Sequence, residues 1–376
     1  MTRSTAFETT ATIRSIDDLY ALKHATGLTT VHLESARFKF SGLLRHAIKY
    51  GLWSLKTGGT LTIADNGPST LKLAPYTVPF QVVCQQAVKL LSDEAELVAI
   101  DPAKMTITFR RTSCDPLDHW TAGIIISGAA SEKPFLDNAL AGLRAQRQFQ
   151  TDEGQIIICG PAAGRSLIDD DRIEYIDYEG AGPRALTAHK KNLILAQARN
   201  PKIAILHARM VLTDKCLDRM PANFDAMTPC SEYHHAGGVV PHDDLIFIDV
   251  LDLESVTRKL PSHSGYNRAR YLSQFTRGRP FISGGIFLVS KKIATAVPLS
   301  DHLAWGEAED MEWCARLHAH GAIVDLEPGA VVLTQSYRHP AVALKSWRAY
   351  LVIRTLTRTA RYILNAARYH LHLFAR

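Results

Sequence analysis

Two neighbouring carboxylates at the start of a predicted helix are the first candidates for chemistry. Glu309 and Asp310 follow Trp305 and Glu307 and open a helical pattern that continues to His320. A carboxylate held at a helix N-terminus can be aimed at an acceptor hydroxyl and can remove its proton as a general base. The alternative is that these acids only stabilise the helix, because the macrodipole favours negative charge in the first turn.

A second candidate site follows a predicted buried strand. Residues 190–199 have helical spacing that ends at Asn200-Pro201, and the apolar run after them stops at His207-Ala208-Arg209. In an open α/β sheet, ligands bind beyond the carboxyl ends of parallel strands, so His207 and Arg209 lie where a substrate is expected. An arginine at this position can bind an anionic leaving group, and a histidine can bind a metal ion.

The sequence predicts a fold of the α/β class, in which a doubly wound sheet positions these residues. Strands are predicted at 121–128, 155–161 and 173–177, with a helix at 132–147 between the first two. Such a sheet has a nucleotide crevice at its strand ends, where small residues allow close backbone approach and an acid accepts from a ribose hydroxyl or a base N–H. The predicted lining is Ser127, Gly128, Gly160, Pro161, Asp177, Lys191, Asn192 and His207.

The later part of the chain has a looser pattern. Residues 221–241 are predicted to be irregular, and 262–279 to form a polar, basic loop over an anionic ligand. One strand is predicted at 281–290 across Ser283-Gly284-Gly285. Further strands are predicted at 245–251, 322–326 and 330–334.

The order of these segments resembles the GT-A-fold, family 2-type glycosyltransferases over about residues 120–340. The segment that ends at Arg209 resembles their donor site, the Gly-Gly segment resembles their acceptor side, and Glu309-Asp310 resembles their Glu-Asp motif. The resemblance implies transfer of a hexosyl or related group from a nucleotide sugar to a glycan or lipid-linked acceptor. It further implies an inverting reaction in bacterial-type surface polysaccharide or glycolipid assembly.

The same resemblance assigns roles to single residues. Asp310 is the implied general base, and Glu309 orients the base or the acceptor. The implied acceptor side consists of Ser283, Gly284, Gly285, Trp305 and Glu307.

The chain departs from the family pattern at His207-Ala208-Arg209, where the family normally has Asp-x-Asp and a divalent cation. One hypothesis is that His207 and His339 bind a metal such as Mn²⁺ or Mg²⁺. The hypothesis we favour is that Arg209, with Lys190 or Arg277, pairs directly with the departing diphosphate. A purely structural role for His207 and Arg209 is the third possibility.

The first 118 residues are predicted to form a smaller α/β domain. Strands are predicted at 29–34, 60–65, 95–100 and 105–110, and helices at 41–55 and 79–91, before a linker at 113–118. This order resembles the second half of a Rossmann-type methyltransferase, but the Gly-rich turn of the first half has no candidate. We expect a truncated domain used for packing or partner binding. A methyltransferase dependent on S-adenosylmethionine and an inactive nucleotide-binding scaffold are the rival functions.

The composition and the charge distribution indicate the compartment in which the protein works. The 376 residues include six cysteines without a C-x-x-C pair, and the chain has neither a signal-like segment nor about 18 consecutive apolar residues. These features predict a cytoplasmic protein with reduced thiols. After Glu327 there are eight Lys or Arg residues and no acid. Because the whole chain has a net charge of +6, residues 1–327 together have a net charge of −2.

The basic segment defines a predicted third region, 341–376, after a domain at 119–340. Its apolar residues recur at helical spacing among seven Lys or Arg residues, which is typical of a basic amphipathic helix on an anionic membrane surface. Such a helix would hold the protein at the inner face of the cell membrane. The alternative is that the apolar stripe packs within the protein or in a homodimer. No nucleic-acid partner is expected.

Overall fold

The computed structural model describes residues 10–38, 42–65, 79–178, 180, 186–235, 238–241, 245–249, 257–259, 278–303 and 309–336. Several predicted features lie outside these residues, namely Arg277, Trp305, Glu307, His339, most of the 262–279 loop and the 341–376 tail. Among the described residues, no helix is both long enough and apolar enough to cross a membrane.

A first sheet is built from the N-terminal part of the chain. Its elements in chain order are β1 (Thr10–Ile13), α1 (Ile16–Leu22), β2 (Leu28–Glu34), α2 (Leu43–Trp53), β3 (Leu55–Ala64), α3 (Phe80–Leu91), β4 (Ala95–Asp101) and β5 (Thr106–Arg111). The strand order is β1-β2-β3-β5-β4, in which β1, β2 and β3 are parallel and β5 is antiparallel to both of its neighbours. The pattern did not predict β1 and α1, which lie before residue 28.

A second, larger sheet follows. Its elements and those around it are β6 (Trp120–Ile125), α4 (Lys133–Arg144), β7 (Gln155–Gly160), β8 (Glu174–Asp177), α5 (Thr187–Gln197), β9 (Lys202–His207), β10 (Met210–Leu212), β11 (Ala226–His235), β12 (Gly238–Pro241), β13 (Leu245–Asp249), β14 (Thr257–Lys259), β15 (Gly278–Ile282), β16 (Ile286–Ser290), α6 (Lys291–Ala296), α7 (Glu309–His320) and β17 (Val324–Thr334).

The strand order of the second sheet confirms the predicted doubly wound arrangement of β6, β7, β8 and β9. Its strands run β10-β17-β11-β16-β9-β6-β7-β8, with β12 paired to β11, and β9, β6, β7 and β8 are parallel. The antiparallel strand β16 lies beside β9, with Ile286 opposite Leu206. The carboxyl ends of four parallel strands therefore meet at one edge, beside the start of β16.

Three predictions for the later part of the chain were wrong in detail. Residues 221–241 are not irregular, because β11 and β12 form a hairpin there. Two strands, β15 and β16, replace the single strand predicted at 281–290, and residues 283–285 form a turn between them. One strand, β17, replaces the two predicted at 322–326 and 330–334, with a register shift opposite Pro229 and Cys230.

The strands β14, β13 and β15 form a separate three-stranded sheet in that order. The first and second sheets belong to one compact unit, Met1–Leu333, and share one of the apolar clusters. Ten of the eleven residues of α2 are buried, as expected for a helix that is covered on all sides. Its Lys49 forms a buried ion pair with Asp225, at 2.6 Å between Nζ and Oδ2. The ammonium of Lys23, just after α1, lies 3.0 Å from Asp325 and 3.2 Å from Glu327. Buried charge pairs thus join the first sheet's helices to the second sheet.

Candidate functional site

The turn Ser283-Gly284-Gly285 is the point at which the candidate residues converge. Because β16 is antiparallel to β9, the turn before β16 lies beside the carboxyl end of β9. The amide of His207 donates to the carbonyl of Gly285, at 3.0 Å. The glycine turn therefore joins the predicted acceptor side to the predicted donor strand.

Asp310 lies in the first turn of α7 and is held by backbone amides. Its Oδ2 accepts from the amide of Gly284 at 2.8 Å, and its Oδ1 accepts from the amide of Met311 at 2.9 Å. Burial raises the pKa of Asp310, and the neighbouring Glu309 raises it further, whereas the Gly284 amide and Lys191 lower it. The result is a partly buried carboxylate with a pKa above its ordinary value, which makes it a better proton acceptor when ionised.

Glu309 is buried against two side chains of α5. Lys191 Nζ lies 3.4 Å from Glu309 Oε1, and the exposed fractions of these two side chains are 0% and 9%. The hydroxyl of Thr187 donates to the same oxygen at 3.2 Å. Thr187 was not among the predicted residues, although its i,i+4 spacing from Lys191 places both on one helix face and could have indicated it.

The structure places Lys191 on the carboxylate side of the site, although the sequence suggested donor binding. Its ammonium donates to the carbonyl of Gly284 at 3.3 Å and lies 5.5 Å from the ring centre of Phe287. Burial lowers the pKa of Lys191, and the charges of Glu309 and Asp310 oppose that shift.

Arg209 is the cation at the end of β9, and His207 is its neighbour. Arg209 Nη1 donates to His207 Nδ1 at 3.4 Å. Burial lowers the pKa of His207 well below its ordinary value, and the charges of Lys191 and Arg209 lower it further. His207 is therefore a neutral imidazole whose Nδ1 accepts from a guanidinium.

The described residues at this strand end do not fit a divalent metal ion. No cluster of three His, Cys, Asp or Glu side chains suited to metal binding exists in the described part of the chain. His207 Nδ1 accepts from Arg209, and the His207 ring also has a hydrogen bond with the Gly284 backbone, so neither ring nitrogen is left for a metal ion. The nearby charges of Lys191 and Arg209 also oppose a further cation. His339, the second proposed ligand, lies outside the described residues.

The ends of β6 and β7 are in close contact. Gly128 has φ +79°, and a Cβ there would lie 2.5 Å from Pro161 Cγ, so only glycine fits. At Gly160, a Cβ would lie 2.4 Å from Ile126 Cγ1. Gly128 and Gly160, which were predicted to allow close approach of a ligand, are therefore required for the packing of the two strand ends.

The polar groups predicted to line the crevice have partners within the protein. The amide and the hydroxyl of Ser127 donate to the Glu132 carboxylate, at 2.7 and 2.8 Å. Asp177, at the end of β8, forms an exposed ion pair with Arg165 at 2.6 Å. A nucleoside at this edge would therefore compete with, or add to, these contacts.

Asn192 and Lys190 have different environments. The Asn192 amide nitrogen donates to Leu299 O and Asp301 Oδ1, and its oxygen accepts from the amide of Leu299, so the side chain binds the 299–301 segment. Lys190 Nζ donates to the carbonyl of Ile126 at 2.8 Å, at the end of β6. Lys190 is thus a cation at the crevice edge, whereas Asn192 has a structural contact.

A cavity of about 310 Å³ lies away from these groups. Its lining includes Lys202, which begins β9 at the end opposite His207, and Lys292. Both lysines are already paired, with Asp118 at 2.9 Å and with Glu94 at 3.0 Å. The chemistry is better placed at the 283–285 turn.

Comparison with known proteins gives structural neighbours but no sequence relatives. No family model matches the sequence, and no curated protein matches it. The structural neighbours are glycosyltransferases of the GT-A fold. GalNAc-T7, solved with UDP, GalNAc and Mn²⁺, is 11% identical with a TM-score of 0.45, over 72% of this chain and 55% of that one. This chain therefore spans little more than half of that protein's length.

A second neighbour is the mannosyltransferase PcManGT from Pyrobaculum calidifontis, solved in complex with GDP-Man and Mn²⁺. It is 15% identical with a TM-score of 0.40, over 76% of this chain and 71% of that one. Similarities of this size leave the function to be argued from the site itself.

The site combines two chemical capacities. Asp310 can accept a proton, and Arg209 can bind an anion, and both lie around one turn at the end of β9. Proton removal beside an anionic leaving group is what nucleophilic group transfer from a phosphorylated donor requires.

Proposed function

We propose that this protein transfers a glycosyl group from a nucleotide-sugar donor to a hydroxyl of a glycan or lipid-linked acceptor. The observation that carries the proposal is the convergence of Asp310 and the His207-Arg209 pair on the 283–285 turn, at the carboxyl ends of the parallel strands. Ligands of open α/β sheets bind at this edge.

In the proposed reaction the acceptor oxygen attacks the anomeric carbon of the donor sugar. The hydroxyl proton passes to Asp310 as the new carbon–oxygen bond forms. The bond between the anomeric carbon and the diphosphate oxygen breaks, and its electron pair stays on that oxygen. A single displacement from the face opposite the leaving group inverts the anomeric configuration.

The departing diphosphate is stabilised by side-chain cations in this proposal. Arg209 adjoins Gly285, where a Cβ would lie 3.6 Å from its Nη2, and Lys190 lies at the end of β6. A guanidinium can bind two phosphate oxygens in one plane, which suits a diphosphate. The poor fit of the described residues to a metal ion favours this direct pairing over the His207-His339 hypothesis.

A ligand screen by thermal unfolding tests the proposed donor class. UDP, GDP, UDP-glucose, GDP-mannose and S-adenosylmethionine are added separately to the full chain, each up to millimolar concentration. A ligand at 100 times its dissociation constant stabilises the folded state by about 2.7 kcal/mol. We expect stabilisation by one nucleotide class.

The same screen separates the rival functions. Stabilisation by S-adenosylmethionine alone would overturn the proposal in favour of a methyltransferase. Nucleotide binding without turnover of any donor, in the presence of glycan and lipid-linked acceptors, would indicate the inactive scaffold.

A further inference from the structure

Lys191 is the side chain whose environment the proposed reaction leaves unexplained. Its ammonium has no solvent exposure, although burying a charge is costly unless the charge is paired. Two groups accept from it, namely Glu309 Oε1 at 3.4 Å and the carbonyl of Gly284 at 3.3 Å. Neither of these groups belongs to the diphosphate side of the crevice.

The two contacts of Lys191 flank the base from both sides. Glu309 precedes Asp310 in α7. The backbone amide of Gly284 donates to Asp310 Oδ2 at 2.8 Å. Lys191 thus fixes both Glu309 and the Gly284 residue whose amide holds Asp310. The position of the base depends on a side chain 119 residues earlier in the chain.

We propose that Lys191 is a positioning residue, which holds Glu309 and the Gly284 carbonyl so that the neighbouring Asp310 carboxylate stays ionised and aimed at the acceptor. The proposal rests on the proposed function, because it assigns Asp310 the role of base. It differs from a donor-binding role, in which the Lys191 ammonium would contact phosphate oxygens.

The charges around Asp310 determine the direction of the expected effect. Among the residues that the structure describes, the charged or titratable groups that face this cluster are Glu309 and Cys314 on α7, Lys191 on α5, and His207 and Arg209 at the end of β9. Removing the Lys191 charge leaves Glu309 unneutralised beside Asp310. Asp310 should then bind a proton at higher pH.

A pH titration followed by carbon-13 NMR of aspartate side-chain carboxyls tests this without any assay of activity. The Asp310 signal is assigned by its absence in Asp310→Asn. In Lys191→Met we expect its midpoint to rise by about one pH unit. In Glu309→Gln, which removes the repelling charge and keeps the shape, the midpoint should fall below that of the wild type.

A matched control is Lys49→Met, which breaks another buried Lys–carboxylate pair, with Asp225, outside the site. It should lower stability and leave the Asp310 midpoint unchanged. If Lys191→Met does not fold, Lys191→Gln, which removes the same charge and keeps a hydrogen-bond donor, takes its place. An unchanged Asp310 midpoint in the folded Lys191 variant overturns the proposal.

Kinetics separate this role from donor binding. Lys191→Met should lower kcat and shift the acid limb of the pH–rate profile upward, with the donor KM within about twofold. A raised donor KM with an unmoved Asp310 midpoint would show a donor-binding lysine instead. If the Asp310 midpoint moves as expected but no donor supports turnover in the wild type, the proposed function is wrong. The effect of the Lys191 charge on Asp310 is then still confirmed.

Discussion

Asp310 is the residue whose chemistry can be tested most directly. Asparagine keeps the shape of the side chain and can still accept from the Gly284 amide, but it cannot take up the acceptor proton. We expect Asp310→Asn to lower kcat by about 10²–10⁴-fold with donor affinity within about twofold. The measurements are steady-state transfer and donor titration calorimetry. Glu312→Gln, two residues further along the same helix and paired with Arg316, is the control that should keep near-normal activity.

Substitution of Arg209 tests how the leaving group of the proposed reaction is stabilised. If its guanidinium replaces a metal ion, transfer should persist in EDTA, and Arg209→Ala should cost about 3 kcal/mol of transition-state stabilisation, as loss of one charge-stabilising donor does elsewhere. Activity is measured in chelator and after addition of Mn²⁺ or Mg²⁺. Complete loss in EDTA with recovery on adding the metal would instead support a metal site that includes His207.

The turn between β15 and β16 is the element on which the site depends. A Cβ at Gly284 would lie 3.3 Å from Lys191 Nζ and 3.4 Å from Asp310 Oδ2, whereas a Cβ at Gly285 meets nothing closer than 3.6 Å. We expect Gly284→Ala to lower kcat about tenfold or more by displacing these groups, with little change in Tm, since a 1 Å displacement can cost about 10²-fold. Gly285→Ala is the matched comparison and should have the smaller effect. Equal losses in both variants would contradict this account.

The pairing between the two sheets makes the whole molecule sensitive to pH. Burial raises the pKa of Glu327, but the contacts with Lys23 and His24 outweigh burial and leave this pKa below its ordinary value. The pKa of Glu94 is also below its ordinary value, because its contacts outweigh burial in the same way. These contacts are made by Lys49, Trp53 and Lys292. A carboxylate with a lowered folded pKa contributes stability above its unfolded pKa of about 4.5, and this is lost as the pH falls through the folded value.

The opposite limit comes from Lys23. Asp325 and Glu327 outweigh burial and raise its pKa above 10.5, so its contribution is present below that pH and is lost as the pH rises through the folded value. Denaturant unfolding between pH 3 and 11 should therefore show a plateau with losses at both ends. Lys23→Met, which leaves two buried carboxylates without their ammonium, should cost about 3–5 kcal/mol at pH 7.

The basic tail gives a second prediction for the whole molecule. Residues 341–376 lie outside the described structure, and their sequence pattern predicts binding to anionic vesicles. Co-sedimentation of the full chain with phosphatidylserine-containing liposomes should be salt-sensitive, and a chain that ends at His339 should stay in solution. Equal behaviour of the two proteins would assign the apolar stripe to packing or oligomerisation.

The sequence alone determined the parallel strands that end near Ile125, Gly160 and His207, because buried strands and helices are specified by local apolar patterns. It also located the acidic start of α7, which is a local helix signal. Only the tertiary structure showed that the Lys191 ammonium meets Glu309, a partner 118 residues away. It also divided the predicted 281–290 strand at a turn beside β9. These pairings are non-local, so their geometry depends on how the sheets pack and not on the periodicity of any one segment.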